Sequence, residues 1–357
     1  MQSRQKLVRL VQDGWSVSRA CRELGVSRPT GYLWLGRSRE DGIDGMREHS
    51  CRPLRIPGCT DGAIQEELLA FKQTRPNWGA KKIFAKLWPG GAPISLRTAD
   101  RILKRHGLVV ARNSGDPAIR FERESPNELW QMDFKAVDRS DYKAFSVLDD
   151  CSRFCLHFAP LADLKTVTTF RALWDLFGEY GLPERILADN GPPFGCTAAH
   201  GPTQLEAMLW LLDINTSHGR PYHPQTQGKV ERFHRTAQED IGLLLRLANQ
   251  TDVVKAMADF RHDYNWERPH ESLGQKVPGV AYSCSTRKRP NRMPVHEIPD
   301  GAISRKVDDE ARIRYKGKQY RAGKGLVGQY VEIRMDKDGP ALYFASRRFR
   351  ALQEGKP

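Results

Sequence analysis

Three stretches decide the reading of this chain: LWQMDF (129–134), LADNG (187–191) and HPQTQGKVERFHR (223–235). In the first, an alternating, strand-like run carries a carboxylate, Asp133, between Met132 and Phe134. In the second, a short apolar run ends at Asp189. In the third, Glu231 lies near the start of a long helical pattern that begins near Gln227. A carboxylate in a buried strand costs several kcal/mol unless it is paired or binds metal. Strand C-termini in an α/β sheet open onto the ligand crevice, which makes a ligand site near Asp189 plausible. Three carboxylates without matching His or Cys make a hard, oxygen-rich site suited to Mg²⁺ or Mn²⁺.

Around these residues the pattern is α/β. ELWQMDFKAV, YKAFSVLDD and SRFCLHFAPL read as three strands, with Asp149 and Asp150 in a turn. LKTVTTFRALWDLFGEYG reads as a helix closed by Gly181, PERILADNG as a short buried strand, and TQLEAMLWLLDI and GKVERFHRTAQEDIGLLLRL as helices. Trp130, Trp174 and Trp210 are expected in the core. The order implies a mixed sheet with helices.

The N-terminal region reads differently. In SVSRACRELGVSRPTGYLWL, Ala20 and Leu24 face inward, Gly25 permits a turn, and Ser27 can cap a second helix from Arg28. This helix-turn-helix pattern presents Arg28, Thr30, Tyr32 and Arg37 as candidate DNA contacts. A second helical unit spans about 61–108; Ser95 caps a helix rich in Arg97, Arg101, Lys104 and Arg105, four further candidates. The segment 111–126 has no apolar period and reads as a linker. Beyond the basic stretch STRKRPNRMP, short alternating strands (ARIRY, KQYRAG, YVEIRM, ALYFAS) imply a small antiparallel barrel.

Charge is unevenly placed along the 357 residues: 1–120 are net +11, 121–250 net −5 and 251–357 net +8. Basic flanks fit a polyanionic partner through counterion release. An acidic centre would repel that partner unless a divalent metal neutralises it. No stretch approaches the ~20 apolar residues of a membrane span, and the opening residues lack the hydrophobic run of a secretory signal. The seven scattered cysteines form no CxxC pair, which argues against a disulfide framework or a zinc site and for a reducing cytosol.

The motifs around Asp133, Asp189 and Glu231 resemble those of the integrase core domain, shared by retroviral integrases and DDE transposases of bacterial insertion sequences. The helix-turn-helix pattern ahead of them, the NWERPHESL segment (265–273) and the C-terminal strands resemble the insertion-sequence branch. The resemblance implies a multidomain chain. Helix-turn-helix domains occupy 1–58 and 59–112, and a linker 113–126. A ribonuclease-H-like α/β core with a helical extension follows at 127–282, then a basic linker at 283–300 and a small β-barrel at 301–357. It also implies that Asp133, Asp189 and Glu231 hold two Mg²⁺ ions ~4 Å apart, with Mn²⁺ able to substitute. The activity implied is 3′-end cleavage and strand transfer at the terminal inverted repeats of a mobile element.

Gln227 and Lys229 precede Glu231 in the family's active-site loop and are candidate DNA contacts, as is Arg235, which lies one helical turn beyond it and is equally placed to pair with Glu231. His223 is expected to pack this loop. Two departures from the family stand out. The interval between Asp189 and Glu231 is long, at 41 residues, with CTAAHGPTQ as the extra loop, and no His/Cys zinc module precedes the core. The partners implied are double-stranded DNA, as element ends and target, and at least one further copy of the chain; the location implied is the bacterial cytoplasm, at the nucleoid during reaction. The competing reading is a sequence-specific DNA-binding regulator, or a domesticated transposase with an idle core.

Overall fold

The computed structural model describes residues 2–42, 44–47, 59–109, 122–136, 143–189, 191, 193–194, 201–218, 228–247 and 250–352. It divides into two compact units, Met1–Asp61 and Gly62–Pro357.

In the first unit, α1 (Gln2–Gln12), α2 (Val17–Glu23) and α3 (Arg28–Asp41) enclose Leu7, Ala20, Cys21 and Leu35. Ser16 and Ser27 cap α2 and α3 by accepting the N–H three residues on. Gly25 turns the chain with φ 65°, a conformation glycine adopts without penalty. The helices cross so closely that a Cβ on Gly31 would land on the Cys21 sulfur. Gly31→Val is therefore expected to destabilise this unit by ~1–3 kcal/mol. Differential scanning calorimetry should show only the transition of the first unit moving; an unmoved transition would refute the close crossing.

The second unit opens with α4 (Gly62–Thr74), α5 (Ala80–Leu87) and α6 (Leu96–Arg105), packed around Leu68, Trp78, Ile83, Ala99, Ile102 and Leu103. Ser95 caps α6 as expected. However, residues 88–95 separate α5 from α6, which is longer than the three- or four-residue turn of a tight helix-turn-helix.

The core follows: β1 (Trp130–Ala136), β2 (Lys143–Asp149), β3 (Cys155–Leu161), α7 (Thr166–Tyr180), β4 (Arg185–Ala188), α8 (Gln204–Leu211), β5 (Asn215–His218), α9 (Gly228–Leu247), α10 (Gln250–Trp266) and the short α11 (Pro278–Ala281). The sheet order is β3-β2-β1-β4-β5, with β1, β2 and β3 antiparallel and β4 and β5 parallel to β1. This is the mixed sheet expected, plus a strand, β5, that the sequence reading missed. One layer buries Trp130, Met132, Phe145, Val147 and Leu156 with α7 and α8. The other packs Ala144, Leu148 and Phe158 against a stripe on α9 (Val230, Phe233, Ala237, Leu245) and against α10.

The α4–α6 unit is fastened to this second layer by charge. Arg75 pairs with Asp263 at 2.5 Å and Lys81 with Glu271 at 2.5 Å, Lys86 pairs with Glu267, and Asn77 donates to Asp240 at 2.9 Å.

At the C-terminus are β6 (Ile303–Lys306), β7 (Arg312–Tyr315), β8 (Lys318–Arg321), β9 (Tyr330–Asp336), β10 (Gly339–Phe344) and β11 (Arg347–Ala351). The expected barrel is corrected here. Among the described residues these strands form a four-stranded sheet, β11-β10-β9-β6, and a separate β7-β8 ribbon, with no closure. Closure is unnecessary because the inner face, with Val307, Leu326, Val331, Leu342 and Phe344, is covered by Ala207, Trp210 and Leu211 of α8. The expected basic linker is not free either. Arg287 donates to the Pro183, Leu212 and Asp213 carbonyls, and Arg289 stacks on Trp174 while donating to its carbonyl, so this segment straps the core.

Candidate active site

β1 is the middle strand, and its side chains alternate between the two layers. Trp130, Met132 and Phe134 face α7 and α8, so Asp133 faces α9. Its antiparallel partner is Ser146, whose neighbours Ala144 and Leu148 pack on α9. On its other side β1 runs parallel to β4, with Trp130 level with Ile186 and Gln131 level with Leu187. Continued two rungs, that register sets Asp133 level with Asp189, just past the end of β4, and residues level in a parallel pair share a face.

The electrostatics agree with that placement. Burial pushes the Asp133 carboxyl up to about 6; the Asp189 charge adds to the rise and Glu231 adds a smaller push, against the Phe134 N–H and Lys135, which favour the carboxylate. Glu231 lies in the first turn of α9, exposed, beside the buried Val230 and Phe233. The structure thus brings Asp133 and Asp189 together and sets Glu231 within electrostatic range. Among the described residues, no three His, Cys, Asp or Glu side chains stand close enough to close round a single ion. The donor set fits a hard divalent cation, since all three candidates are oxygen ligands and the half-buried Asp133 needs a positive charge to ionise freely.

His234, three residues beyond Glu231, lies 3.5 Å from Asp133 through Nδ1. Burial holds its imidazole neutral, down to about 4, so the contact is not an ion pair. Ser146 Oγ donates to the Asp133 carbonyl at 3.1 Å and lies 2.8 Å from His234 Nε2, so the serine joins the strand to this imidazole.

A pH prediction follows. An acid whose folded pKa is raised contributes stability that is complete below its unfolded value, near 3.8, and lost as pH rises through about 6. Without metal, Asp133→Asn should therefore melt higher than the parent chain by a margin that opens between about pH 4 and 6. A margin independent of pH would refute the raised acid.

The sequence-derived DNA contacts fare unevenly. Arg28 and Tyr32 are exposed on α3, Arg37 is half-buried, and the Thr30 hydroxyl is taken by Ser27 at 2.7 Å. Arg97, Arg101, Lys104 and Arg105 are exposed along α6, and Arg235 is exposed on α9. Gln227, His223 and Asn190 lie outside the described residues. Lys229 is turned inward: its ammonium pairs with Asp150 Oδ1 at 2.6 Å and donates to the Asp150 carbonyl at 2.9 Å, with the Lys229 side chain 17% exposed and that of Asp150 0%. Asp149 does shape the turn, accepting from the Asn127 and Ser152 N–H groups.

One polar residue beside Asp189 escaped the sequence reading. His218, ending β5, hydrogen-bonds the Asp189 carbonyl at 3.1 Å through Nδ1 and Glu206 at 2.8 Å through Nε2. NTSH has no apolar alternation, so β5 left no signal; the Thr203-x-x-Glu206 capping box of α8 was the one visible clue.

Comparison with known proteins bears on this site. A homeodomain-like domain model matches residues 1–47, and two integrase core domain models match residues 123–224 and 212–278. An uncharacterized 39.2 kDa protein of insertion element IS476 from Xanthomonas euvesicatoria is 24% identical, over 71% of this chain and 74% of that one. An uncharacterized 31.7 kDa protein of insertion element IS407 from Burkholderia multivorans is 22% identical, over 74% and 89%. The Pol polyprotein of radiation murine leukemia virus is 26% identical, over 53% of this chain but only 33% of the polyprotein. Among solved structures, the catalytic core domain of BIV integrase is 22% identical with a TM-score of 0.36, covering 44% of this chain and 93% of that chain. The HTLV-2 integrase core, solved in complex with magnesium, is 18% identical with a TM-score of 0.35, covering 44% and 98%.

A homeodomain-like domain at the N-terminus followed by an integrase core domain is the organisation these matches give. The chain is similar to proteins of bacterial insertion elements and carries the integrase core domain over residues 123–278. Among the described residues, no helix is long and apolar enough to cross a membrane.

Proposed function

We propose that this chain is a transposase that binds the terminal inverted repeats of its mobile element and catalyses 3′-end cleavage followed by strand transfer into target DNA. The observation that supports this reading is that the Asp189 and Glu231 charges both act on the Asp133 carboxyl, on the sheet face that packs against α9. These three carboxylates would hold divalent ions, Mg²⁺ or Mn²⁺, which supply Lewis-acid stabilisation of the phosphate oxygens. The chain's own part is positional. β1 and β4 fix two carboxylates side by side, α9 carries the third, and the Lys229–Asp150 pair fastens the start of α9 to the β2–β3 turn. Element ends would be read by α3, with Arg28 and Tyr32 foremost, and gripped by the Arg97, Arg101, Lys104 and Arg105 face of α6, by Arg235 and by Gln227. Synapsis of two ends calls for at least a dimer during reaction, and the site of action would be the bacterial nucleoid.

A regulator with an idle core is disfavoured by one feature: Asp133 is half-buried beside a second carboxylate, a placement that opposes its ionisation, and nothing in an idle core would maintain that. A gel assay of labelled element ends, taken from the DNA flanking the gene, separates the readings, because only the enzyme joins a pre-nicked end to target DNA.

Recognition has its own test. If Arg28 reads a base edge, Arg28→Ala should weaken binding by ~1–3 kcal/mol and relax specificity at one position, whereas loss of a phosphate contact weakens all sequences alike. Selection from a randomised repeat distinguishes the two; unchanged profile and affinity would exclude both.

A further inference from the structure

The C-terminal sheet and the candidate active site are joined by an unbroken series of contacts. Phe349, on β11, packs against the Trp210 ring of α8 with centroids 6.1 Å apart. Trp210 Nε1 donates to Thr216 Oγ1 at 2.9 Å, and Thr216 donates to Glu206 Oε1 at 3.4 Å. The same Glu206 oxygen faces His218 Nε2 at 2.8 Å, and His218 Nδ1 reaches the Asp189 carbonyl at 3.1 Å. Glu206 is 7% exposed, and its second oxygen accepts the Thr203 N–H at 2.8 Å, which fixes the carboxylate at the start of α8.

The sheet also holds both ends of α8. Gly201 and Gly323 approach so closely that a Cβ on either would strike backbone of the other segment, and a Cβ on Gly325 would strike Thr203 and Gln204. At the far end, Arg347 binds Asp213 at 2.5 Å and also Asn215, the first residue of β5. β5 and Asp189 are therefore referenced to a helix that the C-terminal sheet clamps.

We propose that His218 and Glu206 are positioning residues for Asp189, and that docking of the C-terminal sheet on α8 holds that aspartate in place through them. Asp189 needs such help because it lies past the last paired residue of β4, where no ladder hydrogen bond constrains it. A backbone carbonyl fixed by a half-buried imidazole sets the direction in which the carboxylate leaves the strand. Polar partners that orient a metal-binding carboxylate in this way typically contribute 10–100-fold to affinity or activity.

This inference rests on the assignment of Asp189 as a metal ligand, and the experiment is chosen to separate the two. Full-length His218→Gln, His218→Asn, Glu206→Gln and Asp189→Asn are titrated with Mn²⁺ by electron paramagnetic resonance. The melting temperature, affinity for element-end DNA and strand transfer of each are also measured. The Asn amide nitrogen stands where Nδ1 stood and keeps the bond to Asp189, whereas Gln reaches Glu206 and loses Asp189. His218→Gln is expected to weaken Mn²⁺ binding and strand transfer ~10–100-fold with DNA affinity unchanged. His218→Asn, which keeps the bond to Asp189 but loses Glu206, should fall between that variant and the parent, and Glu206→Gln, which can still accept from His218, should stay closest to the parent. A merely structural role would instead lower the melting temperature of both His218 variants and leave Mn²⁺ affinity intact in the folded protein, which would overturn the inference. If Asp189→Asn itself kept parental Mn²⁺ affinity, the metal assignment would fall and the inference with it.

Discussion

Asp133→Asn, Asp189→Asn and Glu231→Gln are each expected to abolish both end cleavage and strand transfer while leaving the protein folded and able to bind element ends. Each exchange keeps size and most hydrogen-bonding capacity and removes only charge. Without metal, relieving carboxylate repulsion should stabilise the fold, most clearly for Asp133, whose carboxyl burial and Asp189 already push up to about 6. Loss of activity and gain of thermal stability are therefore expected in the same variant, a combination that general unfolding does not produce. The effects should not add, because three ligands acting on one site fail together once the first is lost. Activity should appear with Mg²⁺ or Mn²⁺ and fail with Ca²⁺, whose looser coordination suits binding better than in-line attack. Single-turnover assays across these variants and metals, paired with melting curves, check each point.

Lys229→Met should have the next largest effect. Its ammonium is the cation that answers the fully buried Asp150 carboxylate, which also accepts from the Gln131 side chain and the Arg123 N–H. Removing one partner of a buried pair leaves an uncompensated charge and typically costs ~3–5 kcal/mol. In a unit of this size each kcal/mol lowers the melting temperature by ~2–4 °C. The loss also frees the first turn of α9, two residues before Glu231, so strand transfer should fall even at temperatures where the fold persists. The double variant Lys229→Met, Asp150→Asn should recover much of the stability, because the orphan charge is gone. Chemical denaturation of the three proteins tests this; a single variant as stable as the parent would contradict the buried pair.

Much of the site was legible because chemistry and periodicity coincided there. Asp133 broke an apolar alternation, Asp189 closed a short buried strand, and Glu231 began a helix with a clear apolar stripe, so each departure from local pattern marked a residue kept for another reason. The first helix-turn-helix was legible from Ala20, Gly25 and Ser27, each fixed by local geometry. What escaped depended on tertiary contacts that leave no periodic trace. β5 is four polar residues held by pairing with β4, and Lys229, which read as a DNA contact on an exposed loop, is satisfied by an aspartate 79 positions away. The strand count of the C-terminal region pointed to a barrel, but the sheet buries its apolar face on α8, a partner its own sequence does not encode.

The three carboxylates are expected to act as one catalytic unit on DNA. The most direct measurement is a gel assay in which a pre-nicked, labelled element end is joined to target DNA with Mg²⁺ by the parent chain and by Glu231→Gln. The expected result is joined product from the parent and none from the variant, at equal binding of the labelled end. Substantial joining by Glu231→Gln would contradict the account and remove Glu231 from the site.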